Sequence, residues 1–271
     1  MPETSVIIVT YNRSEELKKC IKSVLAQSYL DYELIIVDDC STDSTEDAVK
    51  EFTDKRIQYV KGAKNSSGSF VPRQVGQKVS SGKYIAVLDD DDFWLEKDKL
   101  KLQVEYLEKH PKCVLVGTNA VGIDSNGKVV LHVNYPHDDS EIRDRMLFRN
   151  LFYHSSVVYR RDAYLSCGGY QVLQNGHYGS YANEYDLWLR MGLVGGLANL
   201  PIYGVGHLSI VRMLSLKTRM SFMVQHLKDI KGYKSYYHHY YKAFIISVVF
   251  ALLEIPVLVK MKRFMQRKLI R

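Results

Sequence analysis

The sequence predicts an α/β fold in which a mostly parallel, mixed sheet is flanked by helices. Four short apolar runs have the length and β-branched content of buried strands, at residues 5–10, 33–37, 57–60 and 84–88. Amphipathic helical patterns separate these runs, at residues 14–27, 43–53 and 70–80. Apolar strands that alternate with helices through short connections are typical of a parallel sheet covered on both faces.

Capping residues support two of these helices. Ser14 is a candidate cap for the first helix, and Asp43 or Ser44 for the second, because short polar side chains satisfy free backbone N–H groups.

The second half of the chain mixes helices and strands and continues the same domain. Helices are predicted at 96–109, 139–149 and 183–193. A hairpin is predicted from 113–123 to 128–133 across Ser125-Asn126-Gly127, and a further strand at 155–160.

Polar residues follow three of the predicted parallel strands. Strand one ends in Thr10-Tyr11-Asn12, strand two in Asp38-Asp39, and the strand at 84–88 in the four carboxylates Asp89 to Asp92. Ligands of such sheets bind outside the carboxyl ends of the strands. The three strand ends are therefore predicted to form one crevice.

Four adjacent aspartates are unfavourable unless they face water or a cation neutralises them. A solvated acidic turn is the alternative, but their place after a buried strand favours a metal and phosphate site. Mg²⁺ binds one or two carboxylates together with substrate phosphates and water. Asp89 and Asp91 are the better pair, because alternate side chains of an extended segment share a face.

Four motifs in this order resemble the family 2 inverting glycosyltransferases, which have the GT-A fold. They are VIIVTYNR at 6–13, LIIVDDCSTD at 34–43, Arg73 to Gly76 together with SGKYIAVLDDDD at 81–92, and NEYDLWLR at 183–190. The resemblance spans about residues 5–200. It implies a nucleotide-diphosphate-sugar donor, usually UDP-linked, a divalent ion (Mn²⁺ or Mg²⁺), and displacement at the anomeric carbon with inversion.

The resemblance also implies roles for individual residues on the donor side. Thr10 and Tyr11 would line the nucleotide pocket, Asp39 would contact the base, and Arg73 would approach the nucleotide or its phosphates. Each has a structural alternative: a strand-to-helix turn for Thr10-Tyr11-Asn12, a turn or helix cap for Asp39, and a surface arginine for Arg73.

Asp89 and Asp91 match the D-x-D motif of the family. The resemblance implies that Asp89 lies toward the ribose and the metal, and that Asp91 is the main metal ligand. A metal held by carboxylates would neutralise the charge of a departing diphosphate.

The catalytic base departs from the family pattern. Where the family has Glu followed by the catalytic Asp, this sequence has Asn183 and Glu184. Glu184 is the predicted base. Its side chain is longer than that of Asp by about one C–C bond, so the site must adjust to it. A misplacement of ~1 Å can lower a rate ~10²-fold. Asp186 is the fallback base, and charge compensation at a helix N-terminus is the alternative role of Glu184.

Three further features are candidates for the acceptor side, and for the two histidines among them a structural role is favoured. His154 and His207 fall in suitable regions, although a lone histidine is more often structural, and Gly168-Gly169-Tyr170 is predicted to form a turn there.

The basic charge of the chain belongs to its C-terminal segment. The formal net charge is +7, but residues 207–271 hold thirteen Lys/Arg and two Asp/Glu, a balance of +11 that leaves −4 for residues 1–206. Residues 243–259 are apolar apart from Ser247, Glu254 and Pro256, and lie between an aromatic, basic stretch and KMKRFMQRKLIR. This pattern predicts a helix on an anionic membrane surface, with packing on protein as the alternative. The absence of a nucleic-acid-binding motif argues against nucleic acid.

The predicted organisation is a catalytic domain at 1–206, with a nucleotide-sugar half at about 1–110 and an acceptor half at about 111–206, and a helical, membrane-associating segment at 207–271. The N-terminus MPETSVIIVTYNR lacks the pattern of an export signal, and four scattered cysteines without a C-x-x-C pair favour a reducing compartment. We expect a cytoplasmic enzyme on the inner face of the cell membrane that extends a glycan, which the tail and the family predict to be lipid-linked. The alternatives are a nucleotidyltransferase, although TYNRSEEL lacks a glycine-rich phosphate loop, and a non-catalytic sugar-nucleotide-binding subunit.

Overall fold

The computed structural model describes residues 2–171, 180–208, 226–235, 237 and 239–253, and every structural statement below concerns these residues. The last twelve residues of the basic tail and the end of the apolar run at 243–259 lie outside them.

All of the elements predicted for residues 1–90 are confirmed. The strands are β1 (Thr4–Thr10), β2 (Tyr32–Asp38), β3 (Ile57–Lys61) and β4 (Tyr84–Asp89). The helices are α1 (Ser14–Leu25), α2 (Thr45–Lys50) and α3 (Phe70–Val79). Ser14 is the first residue of α1 rather than its cap, whereas Ser44 directly precedes α2, and the Asp43 carboxylate accepts a bond of 3.0 Å from the Thr45 N–H.

The second half contains the predicted elements together with several that were not predicted. The elements are β5 (Asp92–Trp94), α4 (Lys99–Lys109), β6 (Cys113–Ile123), β7 (Val129–Val133), α5 (Asp139–Arg145), a 3-10 helix (His154–Ser156), β8 (Val158–Arg160), α6 (Arg161–Ser166), α7 (Ser180–Val194), β9 (Gly196–Leu208), α8 (226–232) and α9 (Tyr240–Leu253). Strands β5 and β9 and helix α6 were not predicted. Helix α5 is shorter than predicted, and the 3-10 helix replaces the start of the strand predicted at 155–160.

The described strands form one mixed sheet in the order β3-β2-β1-β4-β8-β6-β9-β5, with β7 paired to β6. Strands β3, β2, β1 and β4 are parallel, β8 is antiparallel to both β4 and β6, and β5 is antiparallel to β9. Thr10 pairs with Asp38 and Val9 with Asp89, so β1, β2 and β4 end at one edge, as predicted.

Each face of the sheet carries its own hydrophobic core. Successive side chains of a strand point to opposite faces, so the residues of β1 alternate between the two cores. Ile7 belongs to one core, and Val6 and Ile8 belong to the other. Helix α1 covers the second core with Leu17, whereas α7 covers the first with Trp188. Full burial of each large aliphatic side chain in these cores is expected to contribute about 1.5–3 kcal/mol to the free energy of unfolding.

Helix α3 lies unusually close to β1. A Cβ added to Gly76 would lie 2.5 Å from Cγ2 of Ile7, a distance that a side chain could not adopt without movement of the helix. This glycine therefore sets the depth of α3, and with it the position of Arg73 three residues earlier.

The described part of the C-terminal segment packs on the catalytic domain. The Tyr237 hydroxyl donates to the Leu189 carbonyl of α7 at 2.7 Å, and Ile230 and Ala243 are buried in the core on that side of the sheet. On the outer side of α9, Tyr241 and Ile245 are 79% and 60% exposed. None of the helices in the described ranges has the length and apolar character needed to cross a bilayer.

Candidate active site

A cavity of about 520 Å³ opens beyond the carboxyl end of β4. One part of its wall is charged: Arg13, Glu16, Asp89, Asp91, Asp92 and Glu184. Another part is largely aromatic: Tyr135, Asn150, Phe152, Tyr153, His154, His207 and Leu208. The two predicted metal ligands and the predicted base thus line the same space.

The four aspartates have two different environments. The side chains of Asp89 and Asp91 are 36% and 45% exposed, whereas Asp90 and Asp92 are buried, although Asp92 also contributes to the cavity wall. The predicted pairing of Asp89 with Asp91 agrees with this placement, but its predicted reason is wrong. Residues 90 and 91 form a turn between β4 and β5 rather than an extended segment.

The buried aspartates hold this turn in place. Asp90 accepts a hydrogen bond of 2.9 Å from Nη1 of Arg13, and burial raises the pKa of Asp90 to about 6. Asp92 accepts a hydrogen bond from the Ser155 hydroxyl, which itself accepts the backbone N–H of Asp89 at 3.0 Å. Burial, followed by the nearby Asp89 charge, raises the pKa of Asp92 well above its ordinary value.

The residues of the turn fit a divalent ion whose coordination shell is completed by substrate phosphates. Asp91 faces the cavity, and its contact with Arg13, at 2.5 Å, uses Oδ2 only. Within the described ranges, no three acidic, histidine or cysteine side chains converge into a complete metal cage. Mg²⁺ commonly requires only one or two carboxylates, so this donor set is compatible with a metal that arrives with a diphosphate.

Arg73 is buried between two of the predicted site residues. Its Nη1 atom lies 2.6 Å from Oε1 of Glu184 and its Nη2 atom 2.9 Å from Oδ1 of Asp89. Burial disfavours the charge of the guanidinium, but the Glu184 and Asp89 carboxylates outweigh this effect and raise the pKa of Arg73 above its ordinary value. Arg73 is therefore not the surface arginine of the alternative interpretation.

His154 lies beside the same carboxylates. Its Nδ1 atom is 3.1 Å from Oδ2 of Asp89, and its Nε2 atom is 3.2 Å from the hydroxyl of Tyr170 and 3.9 Å from Oε1 of Glu184. Desolvation by the surrounding protein alone would raise the pKa of Asp89, but His154 and Arg73 outweigh it and hold that pKa below its ordinary value. The side chain thus contacts the charged cluster rather than only the acceptor side.

The predicted glycine turn is present and supplies Tyr170. Gly168 and Gly169 have φ values of +82° and +59°, which favour glycine, and an added Cβ at Gly169 would lie 2.6 Å from the Tyr164 ring. The Tyr164 hydroxyl accepts the backbone N–H of Tyr170 at 3.1 Å.

Glu184 and Asp186 point to different parts of the molecule. Glu184 lines the cavity, whereas Asp186 accepts hydrogen bonds of 2.8 Å from Nε of Arg190 and 2.8 Å from the hydroxyl of Tyr233. Two positions along a helix correspond to nearly opposite directions, which explains the separation. Asp186 belongs to the contact between α7 and the C-terminal segment.

Four of the residues predicted to bind the nucleotide, Arg73 among them, lie outside the cavity wall. Thr10 is buried, Tyr11 is 44% exposed, and Asp39 is buried. The Asp39 carboxylate accepts the backbone N–H and the hydroxyl of Ser66 at 2.9–3.0 Å, so it fixes the loop after β3. The backbone N–H of Asp39 donates to the Thr10 carbonyl at 2.9 Å, which places the ends of β1 and β2 side by side.

The aromatic wall was largely missed by the sequence analysis. Tyr153 stacks on His207 with a centroid distance of 5.2 Å, and His207 pairs with Asp92 across β5 and β9. Tyr153 and Tyr135 occur within unremarkable polar and aromatic stretches, so no local pattern identifies them. Arg13 was quoted only as part of a motif, and its contact with the aspartates depends on residues 77 positions apart.

A model of Glycosyl transferase family 2 matches residues 5–167, more than half of the chain. The chain is 29% identical over 214 residues to a glycosyltransferase of Haemophilus influenzae, covering 74% of this chain and 63% of the relative. It is 29% identical over 201 residues to the amylovoran biosynthesis glycosyltransferase AmsE of Erwinia amylovora, covering 73% of each chain. It is 35% identical over 127 residues to WfgD of Escherichia coli, a UDP-Glc:alpha-D-GlcNAc-diphosphoundecaprenol beta-1,3-glucosyltransferase, covering 46% of this chain and 48% of the relative.

Two solved structures share the fold. S. aureus TarS in complex with UDP-GlcNAc has a TM-score of 0.63 and 19% identity, covering 84% of this chain and 66% of that chain. The mannosyltransferase PcManGT of Pyrobaculum calidifontis, in complex with GDP-Man and Mn²⁺, has a TM-score of 0.66 and 17% identity, covering 94% and 70%.

Proposed function

The chain belongs to glycosyl transferase family 2 and has the GT-A fold, and we propose that it transfers a sugar from a nucleotide-diphosphate sugar to a glycan hydroxyl with inversion. The observation that carries this proposal is the shared cavity of Asp89, Asp91 and Glu184. Carboxylates that can hold a metal and a carboxylate that can accept a proton therefore face the same substrate space.

On the donor side, we assign the diphosphate to the part of the cavity next to Asp91. Asp91, assisted by Asp89, would hold Mn²⁺ or Mg²⁺ together with the phosphates. When bound, the ion would neutralise the charge that develops on the leaving diphosphate. A UDP-sugar is the first choice, in agreement with the ligand of the TarS structure and the name of WfgD, whereas the PcManGT complex contains GDP-Man.

On the acceptor side, we assign Glu184 as the general base. The ion pair with Arg73 and the approach of His154 both involve Oε1, so we assign Oε2 to the acceptor hydroxyl. The ion pair with Arg73 holds the Glu184 carboxylate in one orientation, which favours proton acceptance at a fixed position.

We further propose that the acceptor is a lipid-linked glycan of a surface polysaccharide and that the enzyme acts on the cytoplasmic face of the membrane. The names of AmsE and WfgD support this assignment. The exposed Tyr241, Phe244 and Ile245 of α9, followed by the basic run at 260–271, would bind an anionic bilayer surface.

The test combines binding with turnover. The full chain is heated with UDP, GDP or ATP, each with and without Mn²⁺, because a ligand of the native state raises the unfolding temperature. We expect stabilisation by UDP that requires Mn²⁺. Equal stabilisation by ATP would contradict a sugar-nucleotide site.

Transfer from a UDP-sugar panel to diphosphoundecaprenol-linked acceptors is then compared for the wild type, Glu184→Gln and Asp186→Asn, with the anomeric configuration of the product read by NMR. We expect Glu184→Gln to bind UDP normally and to lose transfer. If it transfers at the wild-type rate, Glu184 is not the base. If the wild type binds UDP with Mn²⁺ and transfers to no acceptor, the non-catalytic subunit becomes the better interpretation.

A further inference from the structure

Arg13 already neutralises the carboxylate that we assign to the metal. Its Nη1 atom lies 2.5 Å from Oδ2 of Asp91 and 2.9 Å from Oδ1 of Asp90. The two contacts differ in environment, because the Asp91 side chain is 45% exposed and the Asp90 side chain only 10%. Arg13 also lines the cavity, so its guanidinium lies on the wall where the diphosphate is expected.

The backbone that carries Arg13 is fixed, whereas its side chain is partly exposed. Asn12, directly before it, has a φ of +52° and donates its backbone N–H to the Ser41 hydroxyl at 2.9 Å. The Asn12 side-chain oxygen accepts the backbone N–H of Thr42 at 2.8 Å. Arg13 itself precedes the first turn of α1. Only the side chain is thus required to move if Asp91 exchanges its partner.

We propose that Arg13 is an exchangeable counter-ion, which occupies Asp91 until the divalent ion arrives and then binds the donor diphosphate while it remains on Asp90. This inference rests on the proposed metal site, and it assigns to Arg13 the exchange between Asp91 and the donor diphosphate. An arginine and a metal ion repel each other at one carboxylate, so the two occupy Asp91 alternately.

The two contacts are suited to this exchange. An ion pair between exposed groups contributes little stability, so the contact with Asp91 is easily displaced. The contact with Asp90 is part-buried and Asp90 itself is buried, so loss of Arg13 would leave the Asp90 charge uncompensated, and this contact is expected to persist. The guanidinium has five N–H donors and both contacts use one nitrogen, which leaves donors suited to bidentate binding of phosphate oxygens.

The exchange has opposite consequences for the metal and for the nucleotide. Without nucleotide, Arg13 competes with the metal for Asp91. With nucleotide present, it adds contacts to the diphosphate. The metal site would therefore bind poorly alone and well together with the donor, which makes metal and donor binding cooperative.

The experiment measures Mn²⁺ binding to the full chain without nucleotide, by titration calorimetry and by the EPR signal of free Mn²⁺, for the wild type and Arg13→Gln. Lys18→Gln is the matched control, because it removes the same charge from α1 but its ion pairs, to Glu51 and Glu15, lie away from the cavity. The unfolding temperature of each variant verifies its fold. Arg13→Lys keeps the charge but removes the planar fork.

We expect Arg13→Gln to bind Mn²⁺ about three- to tenfold more tightly than the wild type, as removal of a competing exposed charge predicts. With Mn²⁺ saturating, it should bind UDP about tenfold more weakly, because a charge-assisted contact to phosphate is lost. Lys18→Gln should match the wild type in both titrations, and Arg13→Lys should restore the weak Mn²⁺ binding.

Two results would overturn the inference, and they are distinguishable. If the wild type binds Mn²⁺ and Arg13→Gln binds it equally or more weakly, the exchange is wrong while the metal site stands. If neither protein binds Mn²⁺ with or without UDP, the metal site of the proposed function fails, and the exchange fails with it.

Discussion

The guanidinium of Arg73 lies 2.6 Å from the carboxylate of Glu184, and the two side chains are only 6% and 4% exposed. The same guanidinium reaches Asp89. A donor-side carboxylate and the proposed base therefore share one rigid counter-ion, and the length of the residue at position 184 is matched to that contact.

The first prediction concerns the length of the base. Glu184→Asp introduces the residue type that the family pattern has there, yet we expect transfer to fall about 10²-fold. The shorter carboxylate loses either Arg73 or the acceptor hydroxyl, and misplacement by ~1 Å has an effect of this size. Steady-state kcat is the measurement, with Glu184→Gln as the reference for complete loss. A kcat equal to that of the wild type would show that the site adapts to either residue.

The second prediction concerns His154, which contacts Asp89 and Tyr170. We expect His154→Ala to raise the KM for the donor more than it lowers kcat, because Asp89 loses a hydrogen-bond partner while Glu184 keeps Arg73. Tyr170→Phe is the matched control, since it removes only the hydroxyl on the far side of the imidazole. Kinetics at several donor concentrations separate the two constants, and a change confined to kcat would place His154 with the base instead.

The third prediction separates stability from chemistry on α7. Asp186→Asn should lower the free energy of unfolding by about 1–3 kcal/mol, because Arg190 loses its charged partner in a part-buried contact. Transfer per folded molecule should stay within a few-fold of the wild type. Chemical denaturation and active-site-normalised rates are the two measurements. A rate as low as that of Glu184→Gln would identify Asp186 as the base.

The fourth prediction concerns Lys99, which is fully buried. Its ammonium group bonds Oε1 of Gln103 at 2.7 Å and lies 4.1 Å from the Trp94 ring centroid. Burial lowers its pKa well below the ordinary value. The unfolded chain then binds more protons than the native state between the two pKa values, so the unfolding free energy rises with pH, by at most about 1.4 kcal/mol per unit.

Substitution isolates this contribution. We expect Lys99→Met to remove the rise measured by denaturation between neutral pH and pH 10, whereas Lys101→Met, at an exposed position of the same helix, should retain it. An unchanged slope in Lys99→Met would mean that the native protein carries the charged form.

Local patterns predicted the first half of the fold well because strands β1, β2 and β4 are buried on both faces and read as continuous apolar runs. Strand β5 was missed because it has only three residues and begins within the run of carboxylates, and β9 was missed because a proline and several glycines interrupt its pattern. These strands acquire their identity from partners far along the chain, which no local window contains.

The candidate site likewise has features that local patterns predicted and features that depend on residues far apart in the chain. The edge of the sheet and the pairing of Asp89 with Asp91 followed from strand ends and motif order. The Arg73–Glu184 pair joins residues 111 positions apart, and the Arg13–Asp90 pair joins residues 77 apart. Such contacts depend on the register of packed helices and strands, so residue types alone predict which groups are charged but not which groups meet.

The ladder between β5 and β9 has a consequence for the shape of the cavity. Asp92 and His207 are opposite each other in that ladder, so main-chain bonds hold the aspartate turn at a fixed distance from His207 on the aromatic wall. A substitution elsewhere on that wall changes the width of the cavity and leaves this distance unaltered.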